Sequence, residues 1–156
     1  MEPTFRETLE PACVSTRLVA MTKDAVLGEL ARLLSAGSAS LPVDVVRRVL
    51  TEREQLASTG VGSGVAIPHG RLRELSGVKV ALALHPEGVY FDAIDGGKVH
   101  LFVAVLASDR EPTMHLRILA RASRLLRDPV VRQKLLAETD PASLYATFVA
   151  EDEKLG

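Results

Sequence analysis

Two stretches of the chain narrow its architecture more than any others. Residues 78–84 and 99–107 are near-continuous apolar runs of strand length, far short of the roughly 20 residues that span a bilayer. Runs of this kind read as strands buried on both faces, with Asp95-Gly96-Gly97 as a turn before the second. A strand with no polar face needs cover on each side, so helices are expected above and below the sheet.

The flanking sequence supplies those helices. Residues 16–21 carry a short β-prone piece, and the Thr22 hydroxyl can then cap a helix marked by Val26, Leu27, Leu30, Leu33 and Leu34 and closed by Gly37. Pro42 opens a second helix, with Val46, Val49 and Leu50 as its buried stripe and Arg53 near its C-terminal end. Residues 113–126 place Leu116, Leu119, Ala120 and Ser123 at helical spacing, with Arg117, Arg121 and Arg124 on another face and His115 in the first turn. Asp128-Pro129 and Asp140-Pro141 each pair a capping carboxylate with proline at a first helical position, so two short terminal helices follow.

With 156 residues, 47% of them hydrophobic, the chain can bury one substantial core, and one domain is expected. Nineteen Lys and Arg against 20 Asp and Glu leave a formal charge of −1, so no global field draws the chain to nucleic acid or an anionic membrane. Cys13 stands alone, and no paired Cys/His spacing suggests a structural zinc site. The N-terminus has no basic start followed by an apolar run. The expectation is a soluble, cytoplasmic protein with no membrane insertion and no nucleic-acid partner, the first ~10 and last ~6 residues being the segments that fray.

The chemistry concentrates in one segment. Glycine density rises through Ser58-Thr59-Gly60-Val61-Gly62-Ser63-Gly64, a β-prone triplet Val65-Ala66-Ile67 follows, and then Pro68-His69-Gly70. A glycine-rich loop can turn successive N–H groups inward into an anion-binding concavity, with His69 at its rim. Gly60, Gly62 and Gly64 are spaced G-x-G-x-G, without the third glycine of a dinucleotide fingerprint, and no Walker lysine follows. Direct use of ATP is therefore not expected.

Neutral imidazole is a good nucleophile towards phosphorus near pH 7, and the N–P bond it forms keeps a high transfer potential. Phosphoryl transfer asks mainly for alignment and positive potential, for which Arg53, His115 and the loop N–H groups are candidates. On pattern alone a Pro-His-Gly histidine is more often a turn residue than a catalyst, and His115 is equally open to reading as a surface residue. At a helix N-terminus, however, the dipole would favour neutral His115 and attract a phosphate. His85, before Pro86 at a strand end, and His100, within a strand, read as structural. The four histidines lack the close pairs that build metal sites, so no metal is expected. The basic stretch Arg117, Arg121, Arg124, Arg127, Arg132 and Lys134 reads as a solvated face or protein-docking rim.

The run from Ser58 to Arg71 closely resembles the phosphorylation-site signature of the phosphotransferase-system enzyme IIA domains of the fructose, mannitol and nitrogen-regulatory class. The resemblance continues through Phe91-Asp92-Ala93-Ile94-Asp95-Gly96 and His115-Leu116-Arg117-Ile118-Leu119-Ala120-Arg121. It covers about residues 10–149, leaving 1–9 and 150–156 as flexible ends. What it implies is an α/β fold, a single-domain mixed β-sheet flanked by helices on both faces. His69 would be the phosphoryl acceptor, as tele-phosphohistidine in the family, with His115 assisting and Arg53 matching the phosphate-neighbouring arginine. Ser58, Thr59, Gly60, Gly62 and Gly64 would form the phosphate loop, no cofactor is needed, and the donor is a histidine phosphocarrier resembling HPr.

The Phe-Asp-Ala-Ile-Asp segment and the run after His115 look most like the nitrogen-regulatory branch, although Ser63 stands where those relatives commonly carry asparagine. No transmembrane or IIB-type cysteine segment is present to transport sugar. The leading expectation is a regulatory phosphocarrier, a component of a relay rather than a stand-alone enzyme. The alternatives are a sugar-specific IIA passing phosphate to a IIB cysteine and a non-catalytic binding module.

Overall fold

The second apolar run forms the axis of the sheet, strand β6 (Lys98–Ser108), in which every residue from Leu101 onward is buried. In the computed structural model, which describes residues 3–156, both faces of this strand are covered. β5 (Val78–Tyr90) pairs antiparallel with β6, setting Val80 against Val105 and Leu84 against Leu101. β1 (Leu9–Ser15) lies parallel to β5 on its far side, and with β2 (Gly60–Gly62), β3 (Val65–Ala66) and β4 (His69–Leu72) the six-stranded sheet runs β1-β5-β6-β3-β2, with β4 also on β6. The expected single-domain mixed sheet with flanking helices is what the chain adopts. One group of helices, α2 (Lys23–Ser35) and α3 (Val43–Leu56), packs together and against β1, β5 and β4. A second group comprises α1 (Phe5–Thr8), α4 (Pro112–Leu126), α5 (Pro129–Leu136) and α6 (Pro141–Lys154).

Local chemistry sets the helix starts. Thr22 accepts from the Ala25 N–H at 3.2 Å, Asp128 from Val130 at 2.9 Å and Asp140 from Ser143 at 3.0 Å, each pairing an otherwise orphaned amide. The strand expected over residues 16–21 lies one segment earlier, as β1. After β1, the Val19 and Ala20 N–H groups bond the Glu29 carboxylate at 3.1 and 3.0 Å, so a side chain takes the place of a ladder. His85 does not end its strand either. β5 continues past it after a register shift between Leu84 and Val89, where Pro86 cannot donate and Gly88 adopts φ +78°. The His100 ring lies against Gly88, and its Nδ1 is 3.0 Å from the His85 carbonyl.

Of the ends expected to be loose, residues 1 and 2 lie outside the described residues, while Phe5 and Asp152 are packed. Phe5 is fully buried with its ring edge-on to Phe148, centroids 4.8 Å apart. Its N–H donates to the Asp152 carboxylate at 2.9 Å, and that carboxylate, itself fully buried, is bridged by the Arg121 guanidinium. Arg121 also donates to the Asp152 carbonyl at 3.0 Å. It therefore points inward rather than joining the solvated arginines, because an acid from another helix waits for it. Removing one partner of a buried charge pair strands the other. Asp152→Ala should cost about 3–5 kcal/mol in urea unfolding, whereas Glu153→Ala, which removes the exposed partner of Arg6, should leave the midpoint essentially where it is.

Candidate active site

The edge of β6 opposite β5 is shared by two short strands laid end to end. β3 (Val65–Ala66) pairs parallel with Leu101 and Phe102, and β4 (His69–Leu72) resumes at Val105. The break falls on Ile67 and Pro68. Proline has no N–H to give a ladder, although the Pro68 carbonyl still accepts from the Val105 N–H at 2.9 Å. Ile67 is turned away: its N–H donates to the Thr59 carbonyl at 3.0 Å, and its own carbonyl lies 2.8 Å from Nδ1 of His69. A carbonyl can only accept, so Nδ1 carries the ring proton and Nε2 the lone pair. His69, read from sequence as a turn residue, is thus the first residue of a strand, its tautomer set by the interruption before it.

Strand geometry puts residues two apart on the same face, which places Arg71 beside His69. Arg71 Nε donates to Nδ1 of His115 at 3.1 Å. The His69 and His115 rings meet edge to face, with centroids 5.5 Å apart. Because Nδ1 of His115 accepts, its neutral ring carries the proton on Nε2, and among the described residues that buried nitrogen has no hydrogen-bond partner. Burial first, then the neighbouring His69 and Arg71, push the His115 pKa down to about 4, so the ring is neutral at pH 7. His69 is also held below the ordinary 6.5, chiefly by burial; the Ile67 carbonyl and Glu54 oppose this, while Arg53 and Arg71 reinforce it.

Helix α3 brings Arg53 to the same cavity. It sits against β4 at Gly70, where a Cβ would come within 2.4 Å of Val49 Cγ1, so only glycine allows the approach. Arg53 Nη1 donates to the Ala57 carbonyl at 2.9 Å, tying its side chain to the end of its own helix. Arg53, His69, Arg71 and His115 line an open cavity of about 580 Å³ together with Leu56 and Leu116. Both leucines are exposed. The stripe expected from Leu116, Leu119, Ala120 and Ser123 is therefore not the buried one: α4 turns His115, Ile118, Ala122 and Leu125 inward. Counting only apolar residues skips the buried histidine and selects the neighbouring face.

The glycine-rich segment is a β-hairpin. β2 (Gly60–Gly62) pairs antiparallel with β3 through a turn at Ser63 and Gly64, with φ +57° and +78°, the left-handed pair that tight hairpin turns require. Its amides are already engaged. Thr59 N–H donates to the Glu54 carboxylate at 3.1 Å, Gly60 N–H to the Ser58 hydroxyl at 3.0 Å and Ser63 N–H to Asp95 at 3.0 Å. Ile94 N–H donates to the Gly60 carbonyl at 3.1 Å, so the Phe91–Asp95 segment braces the hairpin.

Of the five residues expected as a phosphate loop, Ser58 and Thr59 line a smaller cavity together with Arg53 and His69. Gly62 and Gly64 lie against Asp95 and His100, and Gly60 approaches Ala93 too closely for any Cβ. Glycine there serves hairpin geometry and packing. Two neighbours of the site escaped the sequence reading. Arg71 was visible in principle from its i+2 spacing to His69, whereas buried Glu54 is given meaning only by Thr59 and by Lys23, whose Nζ lies 2.7 Å away.

Among the described residues, no group of three or more His, Cys, Asp or Glu is arranged to hold a metal ion, and no helix is long and apolar enough to cross a membrane. Residues 7–150 match the family described as phosphoenolpyruvate-dependent sugar phosphotransferase system, EIIA 2. The nitrogen regulatory protein of Escherichia coli K12 is 35% identical over 139 residues, covering 88% of this chain and 84% of that protein. The crystal structure of the nitrogen regulatory protein IIA-Ntr from Neisseria meningitidis superposes with a TM-score of 0.83 at 29% identity, over 91% of this chain and 97% of that one. The fold alone is shared with the E. coli mannitol enzyme IIA, solved in complex with its phosphorylated enzyme IIB, with a TM-score of 0.74 at 20% identity over 91% and 99% of the two chains. The chain belongs to the EIIA 2 family of the phosphotransferase system, and within it is like the nitrogen regulatory proteins.

Proposed function

We propose that the protein accepts a phosphoryl group on Nε2 of His69 from an HPr-like phosphocarrier and that its phosphorylation state regulates partner proteins. The observation that carries this reading is the buried, unpartnered Nε2–H of His115 beside a His69 ring whose proton is held on Nδ1. An orphaned buried donor is costly, and a phosphoryl oxygen on His69 would supply its acceptor. Arg53 and Arg71 add positive potential where charge gathers on the equatorial oxygens.

In the transfer step, the Nε2 lone pair of His69 attacks phosphorus on the donor phosphohistidine. The new N–P bond forms at Nε2, and the donor's N–P bond breaks with its electron pair returning to the donor imidazole. The proton on Nδ1 stays in place, and its bond to the Ile67 carbonyl stabilises the phosphorylated ring. No acid or base has to move. The exposed Leu56 and Leu116 at the rim give the donor an apolar surface to dock on. Once attached, a group bearing nearly two negative charges alters which partners that rim accepts. Passage of the group to a IIB cysteine is the second reading, favoured by the family's sugar-phosphotransferase membership. It predicts transfer from the phosphorylated protein to a IIB domain, where the regulatory reading predicts none.

Incubation with enzyme I, HPr and labelled phosphoenolpyruvate should place acid-labile label on the protein and none on His69→Ala; label on the variant at the wild-type level removes the assignment. His115→Ala should still be labelled, but about 10²–10³ slower, the usual loss for one preorganised donor. The pH profile follows from the direction of the His69 shift. A pKa below 6.5 keeps the nucleophile mostly neutral at pH 7.5 and above. With a fixed donor, uptake should change little from pH 8 to 7.5 and fall on further acidification in parallel with ring protonation followed by NMR. A decline already under way at pH 7.5 would contradict this account.

A further inference from the structure

We propose that Glu54 is a positioning residue for His69, acting through Thr59 and Ile67. The proposal deepens the phosphocarrier reading and rests on it for its kinetic consequence. Glu54 is 7% exposed, and burying a carboxylate is unfavourable unless every partner is supplied. Its partners converge on one point. The carboxylate accepts from the Thr59 N–H at 3.1 and 3.2 Å and from the Thr59 hydroxyl, and pairs with Lys23 at 2.7 Å.

From Thr59 the connection runs in series. The Thr59 carbonyl accepts from the Ile67 N–H at 3.0 Å, and the Ile67 carbonyl holds Nδ1–H of His69 at 2.8 Å. Displacing Thr59 swings the Ile67 peptide, and with it the acceptor that selects the reactive tautomer. The same cluster fixes the residue before Thr59. Lys23 lies over the Phe91 ring, 4.8 Å from its centroid, and the Phe91 carbonyl accepts from the Ser58 hydroxyl at 2.8 Å. Glu54 also sits on the helix that carries Arg53, so one carboxylate holds the alignment of helix, loop and imidazole. Its charge acts on His69 as well, raising the ring's pKa against the opposing effects of burial, Arg53 and Arg71. A carboxylate that merely satisfied the Thr59 amide would leave the ring's tautomer untouched.

The test uses Glu54→Gln in the full chain, with ¹⁵N NMR of the His69 ring and single-turnover phosphoryl uptake resolved into donor affinity and limiting rate. We expect a folded protein with unchanged donor affinity and a limiting rate lower by about tenfold, the scale of a small misplacement of reacting groups. The population protonated on Nδ1 should fall, and the ring should titrate at lower pH. Wild-type tautomer and titration, with a limiting rate within about twofold, overturn the proposal. If Glu54→Gln does not fold, Thr59→Val removes the hydroxyl contact alone. It should move the tautomer and the rate in the same directions by less, and an unchanged ring again overturns the proposal. Failure of the wild-type protein to take label on His69 would instead remove the phosphocarrier reading, leaving the tautomer result to stand or fall separately.

Discussion

Burying β6 on both faces commits every backbone polar group along it to a protein partner, because no water reaches either side. On one edge β5 meets that demand over most of its length. On the other, β3 and β4 share it, and the proline between them leaves a gap that cannot be filled by a ladder amide. The Ile67 carbonyl, on the side of its strand turned away from β6, accepts from His69. That carbonyl is held in place by the Ile67 N–H bond to the Thr59 carbonyl. The same rigidity gives the imidazole a defined orientation without a ligand present.

Around His69 the electrostatics are unbalanced in one direction. Arg53 and Arg71 both disfavour a charged imidazole, and burial does so more strongly. His115 is neutral for the same reasons and keeps a donor with nothing to bond. A site of this kind resists taking up protons and is suited to taking up an anion. A phosphoryl group on Nε2 would relieve the repulsion and satisfy the donor together. Glu54, paired with Lys23, stands behind this arrangement.

Much of this was legible in the chain. The two apolar runs announced the central strands, and the threonine and aspartate caps marked α2, α5 and α6, since capping is local chemistry that neighbouring residues settle among themselves. Errors gathered where a distant partner overrides local pattern. Arg121 resembles its exposed neighbours until Asp152 arrives from α6, and Phe5 looked loose at an end until Phe148 and Asp152 enclosed it. The glycine-rich stretch is similar: its composition fits an anion nest or a hairpin equally, and only Asp95, Ser58 and Glu54 decide where its amides go.

The sequence by itself determined the buried strand pair, the capped helices and the identity of His69, because patterning, turn chemistry and a proline-flanked histidine are written within a few residues of one another. The tertiary structure alone decided which nitrogen of His69 is free, that His115 is buried with an unpaired donor, and that Arg71 and Glu54 attend the site. Tautomers and desolvation depend on which groups come within hydrogen-bonding distance after folding, and the deciding contacts join residues as far apart as Arg71 and His115. A histidine's place can be read along the chain, but its protonation state belongs to its surroundings.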